Sequence, residues 1–242
     1  MKTFDHIILG TGQATGALLG GLLPRNESIA VIEGKHVGGT CVNTGCTPTK
    51  TLVASAKTAH KVGKAHEYGI YAENTKVNFR EVMNRMNELR HSNRDGFEEW
   101  LSTDDRVTFF KEYGTFEGPK RIRVGEEAIE GKNIYINVGA RARELPIPGM
   151  DKVDWLDNER LLNLDELPEH LVIIGGSYIG LEFGQMFRRV GSEVTVLEGA
   201  PQIMAREDED VAEEAKRILR QEGITIHEGV SIKKIANQEN GV

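Results

Sequence analysis

Phe4-Asp5-His6-Ile7-Ile8-Leu9-Gly10-Thr11-Gly12-Gln13-Ala14-Thr15-Gly16 is the stretch that decides the fold. An apolar run of strand length empties into glycines at the first and third turn positions, and a helix is expected to follow from Ala17 to Leu23. That order of strand, turn and helix holds a dinucleotide pyrophosphate against helix N-terminal amides. A second strand, Ile29 to Ile32, ends at Glu33, the place for an acid that accepts ribose hydroxyls, with a solvated strand end as the competing reading. One such turn is a weak signal. The pattern recurs: Leu171-Val172-Ile173-Ile174 runs into Gly175-Gly176-Ser177-Tyr178-Ile179-Gly180, a helix is expected from Leu181, and Val194 to Leu197 ends at Glu198. Gly10 and Glu33 lie 23 positions apart, as do Gly175 and Glu198. One unit used twice predicts an α/β chain with two Rossmann-like, three-layer dinucleotide-binding domains. Two places depart from the pattern. Thr15 stands where the first turn should have its third glycine, with Gly16 one place late, and Ser177 replaces the middle glycine of the second turn.

Between the turns lies Gly38-Gly39-Thr40-Cys41-Val42-Asn43-Thr44-Gly45-Cys46-Thr47-Pro48-Thr49-Lys50, with both cysteines of the 242-residue chain. Thiols that close can join in a short ring, and Gly45 removes a side chain that would obstruct it. Thr47 reads as an N-cap and Pro48 as the first helical residue, so Cys46 is expected at the mouth of a helix that runs on from Lys50 to His66. The partial positive charge there favours thiolate, and Lys50 adds a cation one turn along. A purely structural bridge is the rival reading. It is disfavoured because stapling so short a loop adds little to a chain of this class, and intracellular disulfides are usually working ones.

Composition narrows the function. A net charge of −7 and a pI near 5.6 argue against nucleic acid or an anionic membrane as partner, since both select a basic face. Hydrophobic content of 39% and a mean hydropathy of −0.38 describe a soluble globular chain, long enough for one large or two ordinary domains. No apolar run reaches membrane-spanning length and no leader pattern precedes the first strand, so a cytoplasmic location is expected. The seven histidines lack ligand spacing, which with two cysteines leaves no structural zinc site; His60 and His66 are read as solvated. Phe79 to Leu101 reads as an amphipathic helix whose Val82, Met86, Leu89, Phe97 and Trp100 face a core. Val107 to Phe110, Arg121 to Val124 and Ile134 to Val138 read as strands separated by Gly114, Gly118-Pro119, Gly125 and Gly131. A helix from Asp208 to Gln221 and a strand from Ile224 to Ile226 continue the second unit.

The cysteine segment resembles the active-site segment of the class I pyridine nucleotide-disulfide oxidoreductases, the family of dihydrolipoamide dehydrogenase, glutathione reductase and mercuric reductase. Val138-Gly139-Ala140-Arg141 and Pro146-Ile147-Pro148-Gly149 are similar to that family's handover from flavin to nicotinamide domain, with Val138 in place of the usual threonine. The resemblance implies a flavoprotein disulfide reductase. FAD is then expected on residues 1–149, through Gly10, Gly12, Gln13, Ala14, Glu33, Gly39, Thr40, Lys50, Gly114 and Gly139. A nicotinamide dinucleotide is expected on residues 150–242, through Gly175, Ser177, Tyr178, Ile179, Gly180, Glu198 and Val230. Glu198 would repel a 2′-phosphate, so NADH is expected over NADPH, with Arg206 the one nearby cation against it.

By the same resemblance, electrons pass from NADH through flavin to a Cys41–Cys46 disulfide, Cys46 facing the flavin and Cys41 attacking a small-molecule or protein-bound disulfide, or a metal ion. Lys50 would pair with Glu182 beside the flavin, and Tyr178 would cover the empty nicotinamide pocket, ordinary aromatic packing being its alternative. Similar enzymes are nearly twice as long and add a dimerisation domain that supplies a histidine and glutamate as acid and base. The chain is therefore expected to be an N-terminal portion, with both nucleotide domains incomplete, of a protein that is a homodimer at full length. Two alternatives stand beside this reading. One is a non-catalytic FAD- and NAD-binding fragment; the other is a thiol redox sensor or a metal-ion reductase of the mercuric reductase kind. Dihydrolipoamide, glutathione, mercuric ion and copper all remain open as substrates.

Overall fold

The computed structural model describes residues 1–237. The first strand, β1 (Lys2–Leu9), carries Ile7 and Ile8 fully buried side by side, the mark of a strand covered on both faces. It feeds α1 (Gln13–Leu22), then β2 (Ile29–Ile32), α2 (Gly39–Asn43), α3 (Cys46–Gly63) and α4 (Phe79–Thr103). β3 (Val107–Phe110), β4 (Gly114–Gly118), β5 (Arg121–Val124) and β6 (Glu127–Ile136) follow. A short α5 (Asn158–Leu161) leads to β7 (His170–Ile174), α6 (Tyr178–Val190), β8 (Glu193–Leu197), α7 (Glu209–Gln221) and β9 (Thr225–His227). No helix among the described residues is long and apolar enough to cross a membrane.

Two compact units are present: Met1–Pro48 with Asn87–Ala142, and Thr49–Met86 with the chain from Arg143 onward. In the first, six strands lie in the order β3-β2-β1-β6-β5-β4. β1, β2, β3 and β6 are parallel, while β4, β5 and β6 form an antiparallel meander. Leu9 pairs with both Ile32 and Ile136, and Ile32 with Phe110, so all four parallel strands finish level. Ligands of open α/β sheets bind at such strand ends. Successive β1 residues point to opposite faces: Ile7 and Leu9 join a core with Ile32 and Ile122, whereas Ile8 joins one with Leu19, Val31 and Leu101.

In the second unit β7, β8 and β9 form a parallel sheet in that order. Its core takes Leu52, Ala56, Phe79, Met83 and Met86 together with Leu181, Phe187, Val196 and Leu219. A single cut after residue 149 therefore does not describe the packing, because the apolar faces of α3 and the start of α4 serve the later unit.

Several expected boundaries move. α1 begins at Gln13, not Ala17, because Gly12 already adopts an extended N-cap conformation, φ −65° and ψ −173°. α6 likewise begins at Tyr178. Cys46 itself opens α3, so Thr47 is not the N-cap and Pro48 is the third helical residue, where its missing N–H is still no loss. β4 was hidden by its glycines, and β6 starts seven residues before Ile134 because the polar stretch from Glu127 pairs with β5. Of the expected core face of α4, Met86 is fully buried, but Leu89 is 42% and Trp100 37% exposed. The helix changes the core it serves after Met86, where Leu89 faces solvent, while Trp100 stacks on Phe97, which packs against the core of Leu101.

Candidate active site

The first turn is built by close approach of backbones. Gly10 has φ +96°, and a Cβ there would stand 2.2 Å from the Asn137 carbonyl oxygen. A Cβ on Gly12 would meet the Asn137 carboxamide at 3.1 Å, and one on Gly39 would lie 2.8 Å from the Gly12 Cα. Gly12, Gly39 and Asn137 thus share one small space. Gly139, at φ +70°, has the Thr40 hydroxyl 3.9 Å from its Cβ position. Thr15 is wholly buried; its hydroxyl donates to the Gly10 carbonyl at 2.9 Å and accepts from Asn137 Nδ2 at 3.0 Å. Asn137, not singled out from the sequence, organises the turn, and its signal was an amide at the end of an apolar strand. At Gly114 a Cβ would press on Leu9 Cδ1 at 2.6 Å.

The two acids repeat each other in the main-chain amides they accept from. Glu33 Oε2 accepts from the Thr11 amide at 3.0 Å and the Thr11 hydroxyl at 2.7 Å, and Oε1 accepts from the Lys35 amide at 2.9 Å. Glu198 Oε2 accepts from the Gly176 amide at 2.6 Å and Oε1 from the Ala200 amide at 2.7 Å. The Gly10 amide donates to the Ile32 carbonyl at 2.8 Å as that of Gly175 does to Leu197 at 2.9 Å. The Glu33 amide bonds to Phe110 and the Glu198 amide to His227 at the end of the third strand, so the repeat reaches the neighbouring strand. At the third-glycine position the units differ. A Cβ on Gly180 would meet the Gly175 carbonyl oxygen at 2.4 Å, where the first unit has the Thr15 hydroxyl bonded to Gly10. Val230 donates its amide to the Glu198 carbonyl at 2.9 Å.

Both turns leave helix amides available. The N-caps Gly12 and Ser177 make no side-chain cap bond, and neither α1 nor α6 has an acid in its first turn. Gln13, Ala14, Ser177, Tyr178 and Ile179 are exposed; Tyr178, at 72%, is not a packing aromatic here. Arg206 is exposed as well.

Cys41, in α2, and Cys46, the first residue of α3, form a disulfide with Cα atoms 4.6 Å apart. A Cβ on Gly45 would meet the Thr40 carbonyl oxygen at 2.9 Å and the Cys41 Cα at 3.3 Å, as the ring requires. Cys46 is the more exposed of the two. Asn43, also missed in the sequence, braces the ring: its buried carboxamide donates to the Val37 and Gly39 carbonyls, both at 2.9 Å. In the second unit Lys50 of α3 is ion-paired with Glu182 of α6. Their side chains are 66% and 29% exposed.

A family profile described as pyridine nucleotide-disulphide oxidoreductase matches residues 4–242. The chain belongs to the pyridine nucleotide-disulphide oxidoreductases. A dihydrolipoyl dehydrogenase of Cupriavidus necator is 34% identical over all of this chain and 54% of its own length. A mercuric reductase of Bacillus cereus is 31% identical over 96% of the chain and 37% of its own length. The solved Cu(II) complex of the HOCl-induced flavoprotein disulfide reductase RclA from Escherichia coli superposes with a TM-score of 0.86 at 35% identity, over 97% of this chain and 51% of that one. The chain thus spans about half the length of such relatives. Membership in the pyridine nucleotide-disulphide oxidoreductases implies FAD and a pyridine nucleotide as cofactors. The residues present fit both, since each turn offers uncapped helix amides, a close glycine approach and an acid held at the strand end.

Proposed function

We propose that this chain is the electron-accepting portion of a disulfide reductase, with FAD on residues 1–149 and NADH on residues 150–242. The observation that carries the proposal is a disulfide at the N-terminus of α3 in a chain that builds the same nucleotide turn twice. Gly10, Gly12, Gln13, Ala14, Glu33, Gly39, Thr40, Gly114 and Gly139 would hold FAD, and the Lys50–Glu182 pair would serve the same electron transfer. Gly175, Ser177, Tyr178, Ile179, Gly180, Glu198 and Val230 would hold NADH, and the Glu198 carboxylate disfavours a 2′-phosphate. When bound, FAD supplies the two-electron relay between a nicotinamide hydride and a disulfide.

The reduced thiols then act by exchange. The Cys41 thiolate attacks an acceptor disulfide and expels one thiol; Cys46 then attacks the Cys41 sulfur, expels the second and restores the ring. The position of Cys46 at the head of α3 stabilises its thiolate. Acceptors in this proposal are a small or protein-bound disulfide or a thiophilic metal ion, the classes that the names of dihydrolipoyl dehydrogenase and mercuric reductase suggest. A cytoplasmic homodimer is the proposed setting of the full-length protein.

The test is an anaerobic thiol titration. After incubation with FAD and desalting, the chain retains yellow flavin. Addition of NADH then exposes two thiols to dithiobis(nitrobenzoate), NADPH does so more weakly, and Cys46→Ser yields no NADH-dependent thiol. Flavin retention without new thiols would leave only the nucleotide-binding alternative. No retention at all would overturn the cofactor assignment.

A further inference from the structure

Along α6, Glu182, Gln185 and Arg189 follow at intervals of three and four, one stripe on the helix surface. Its first member pairs with Lys50 of α3. Its far end meets Glu222, the C-cap of α7. Arg189 Nε donates to Glu222 Oε2 and Nη2 to Oε1, both at 2.7 Å, while Gln185 Nε2 donates to Oε1 at 2.9 Å. Arg188 Nε adds a bond to the Glu222 main-chain carbonyl at 2.9 Å. From α3, His60 Nδ1 stands 3.8 Å from Oε2 with its side chain 25% exposed, so this histidine is not simply solvated.

Between these two polar ends the helices do not close. A cleft of about 480 Å³ is lined by Val53 and Ala56 of α3, Leu181 and Met186 of α6, and Ile218 and Leu219 of α7. Leu52 and Ala56 of α3 share a buried core with Leu181 and Phe187 of α6, which holds the two helices together on their inner sides. Across the cleft the Lys50–Glu182 pair adds little, since an exposed pair holds little by itself. The Arg189–Glu222 fork is different: its side chains are 16% and 9% exposed, and a forked pair out of water is directional and costly to break. Burial pushes the Glu222 carboxyl up, but the hydrogen bonds and charge of Arg189, with His60 and Gln185, outweigh burial and hold it below the ordinary carboxylate range.

We infer that Glu222 is a positioning residue for the Lys50–Glu182 pair: by locking Arg189 and Gln185 and facing His60, it sets the register in which α6 offers Glu182 to α3. The inference rests on the proposed function only for the importance of that pair, and its test needs no flavin, so either can fail alone.

Zero-length cross-linking reads the register directly. A water-soluble carbodiimide joins Lys50 Nζ to the Glu182 carboxyl as an amide, with loss of water to the reagent's urea, and peptide mass spectrometry gives the yield. The Lys111–Glu98 pair of the first unit is the internal reference, and β8 amide protection reports whether the second unit stays folded. Glu222→Ala should lower the Lys50–Glu182 yield about threefold or more against the reference, as an exposed pair left to its own attraction would. Glu222→Gln, which keeps volume and a carbonyl acceptor, should fall between that value and wild type. If the alanine variant loses β8 protection, the glutamine variant decides. An unchanged Lys50–Glu182 yield in a variant with intact β8 protection overturns the inference.

Discussion

Replacing Gly180 by alanine tests how closely α6 is seated on β7. The new Cβ would lie 2.4 Å from the Gly175 carbonyl oxygen and 3.0 Å from Ile173 Cγ2. A carbon–oxygen contact needs about 3.3 Å, so the helix must back away by about 0.9 Å or the turn must deform. A gap of that size forfeits roughly a quarter to a half of the dispersion well for the atoms facing it, and α6 buries Leu181, Phe183, Met186, Phe187 and Val190. Because the obstacle is backbone, with no flexible side-chain end to yield, the cost falls toward the upper part of the overpacking range, about 2–3 kcal/mol. Gly16→Ala supplies the opposite sign. Nothing lies within 4 Å of its Cβ position in α1, so loss of unfolded-chain freedom should stabilise by about 0.5–1 kcal/mol. Native-state hydrogen exchange of the α6 and β7 amides reads the second unit and that of α1 the first. Unchanged α6 protection in Gly180→Ala would refute the seating argument, since no other contact offers the methyl group room.

Two further outcomes follow from buried polar groups. Asn43→Ala leaves the Val37 and Gly39 carbonyls without the bonds that brace the ring, which should cost about 1–3 kcal/mol; the Cys41–Cys46 equilibrium against glutathione should shift toward dithiol by about tenfold, and an unshifted equilibrium would remove Asn43 from that role. Glu222 and Glu228 both titrate below their ordinary value of 4.5 in the folded chain; burial pushes each up, but Arg189 in one case and Lys216 with the Ile203 amide in the other prevail. Stability linked to a depressed carboxylate is full above the unfolded value and drains as pH falls through the folded one, so the second unit should lose stability as pH falls below about 4.5. Glu222→Gln should flatten that slope in urea titrations, and an identical slope would count against the assignment.

Much of this was legible because glycine spacing leaves a record in sequence. Gly10 to Glu33 and Gly175 to Glu198 predicted the duplicated turn, and the structure returns it down to the amides of Thr11 and Gly176. The ring was legible through Cys41, Gly45 and Cys46. What stayed hidden depends on partners distant in sequence. Leu52, Phe79 and Met83 are ordinary helical apolar residues, and nothing in their spacing says which core they enter. Gly114 to Gly118 looks like loop because its strand character comes from pairing with β5. Asn137 and Glu222 are single polar residues whose importance appears only once another element closes on them.

The duplicated acids are not equal in reserve. A carboxylate has about four acceptor positions. At Glu198 two are filled, by the Gly176 and Ala200 amides; at Glu33 a third goes to the Thr11 hydroxyl. A vicinal diol can therefore settle on Glu198 without evicting anything, whereas at Glu33 it must first turn a hydroxyl aside.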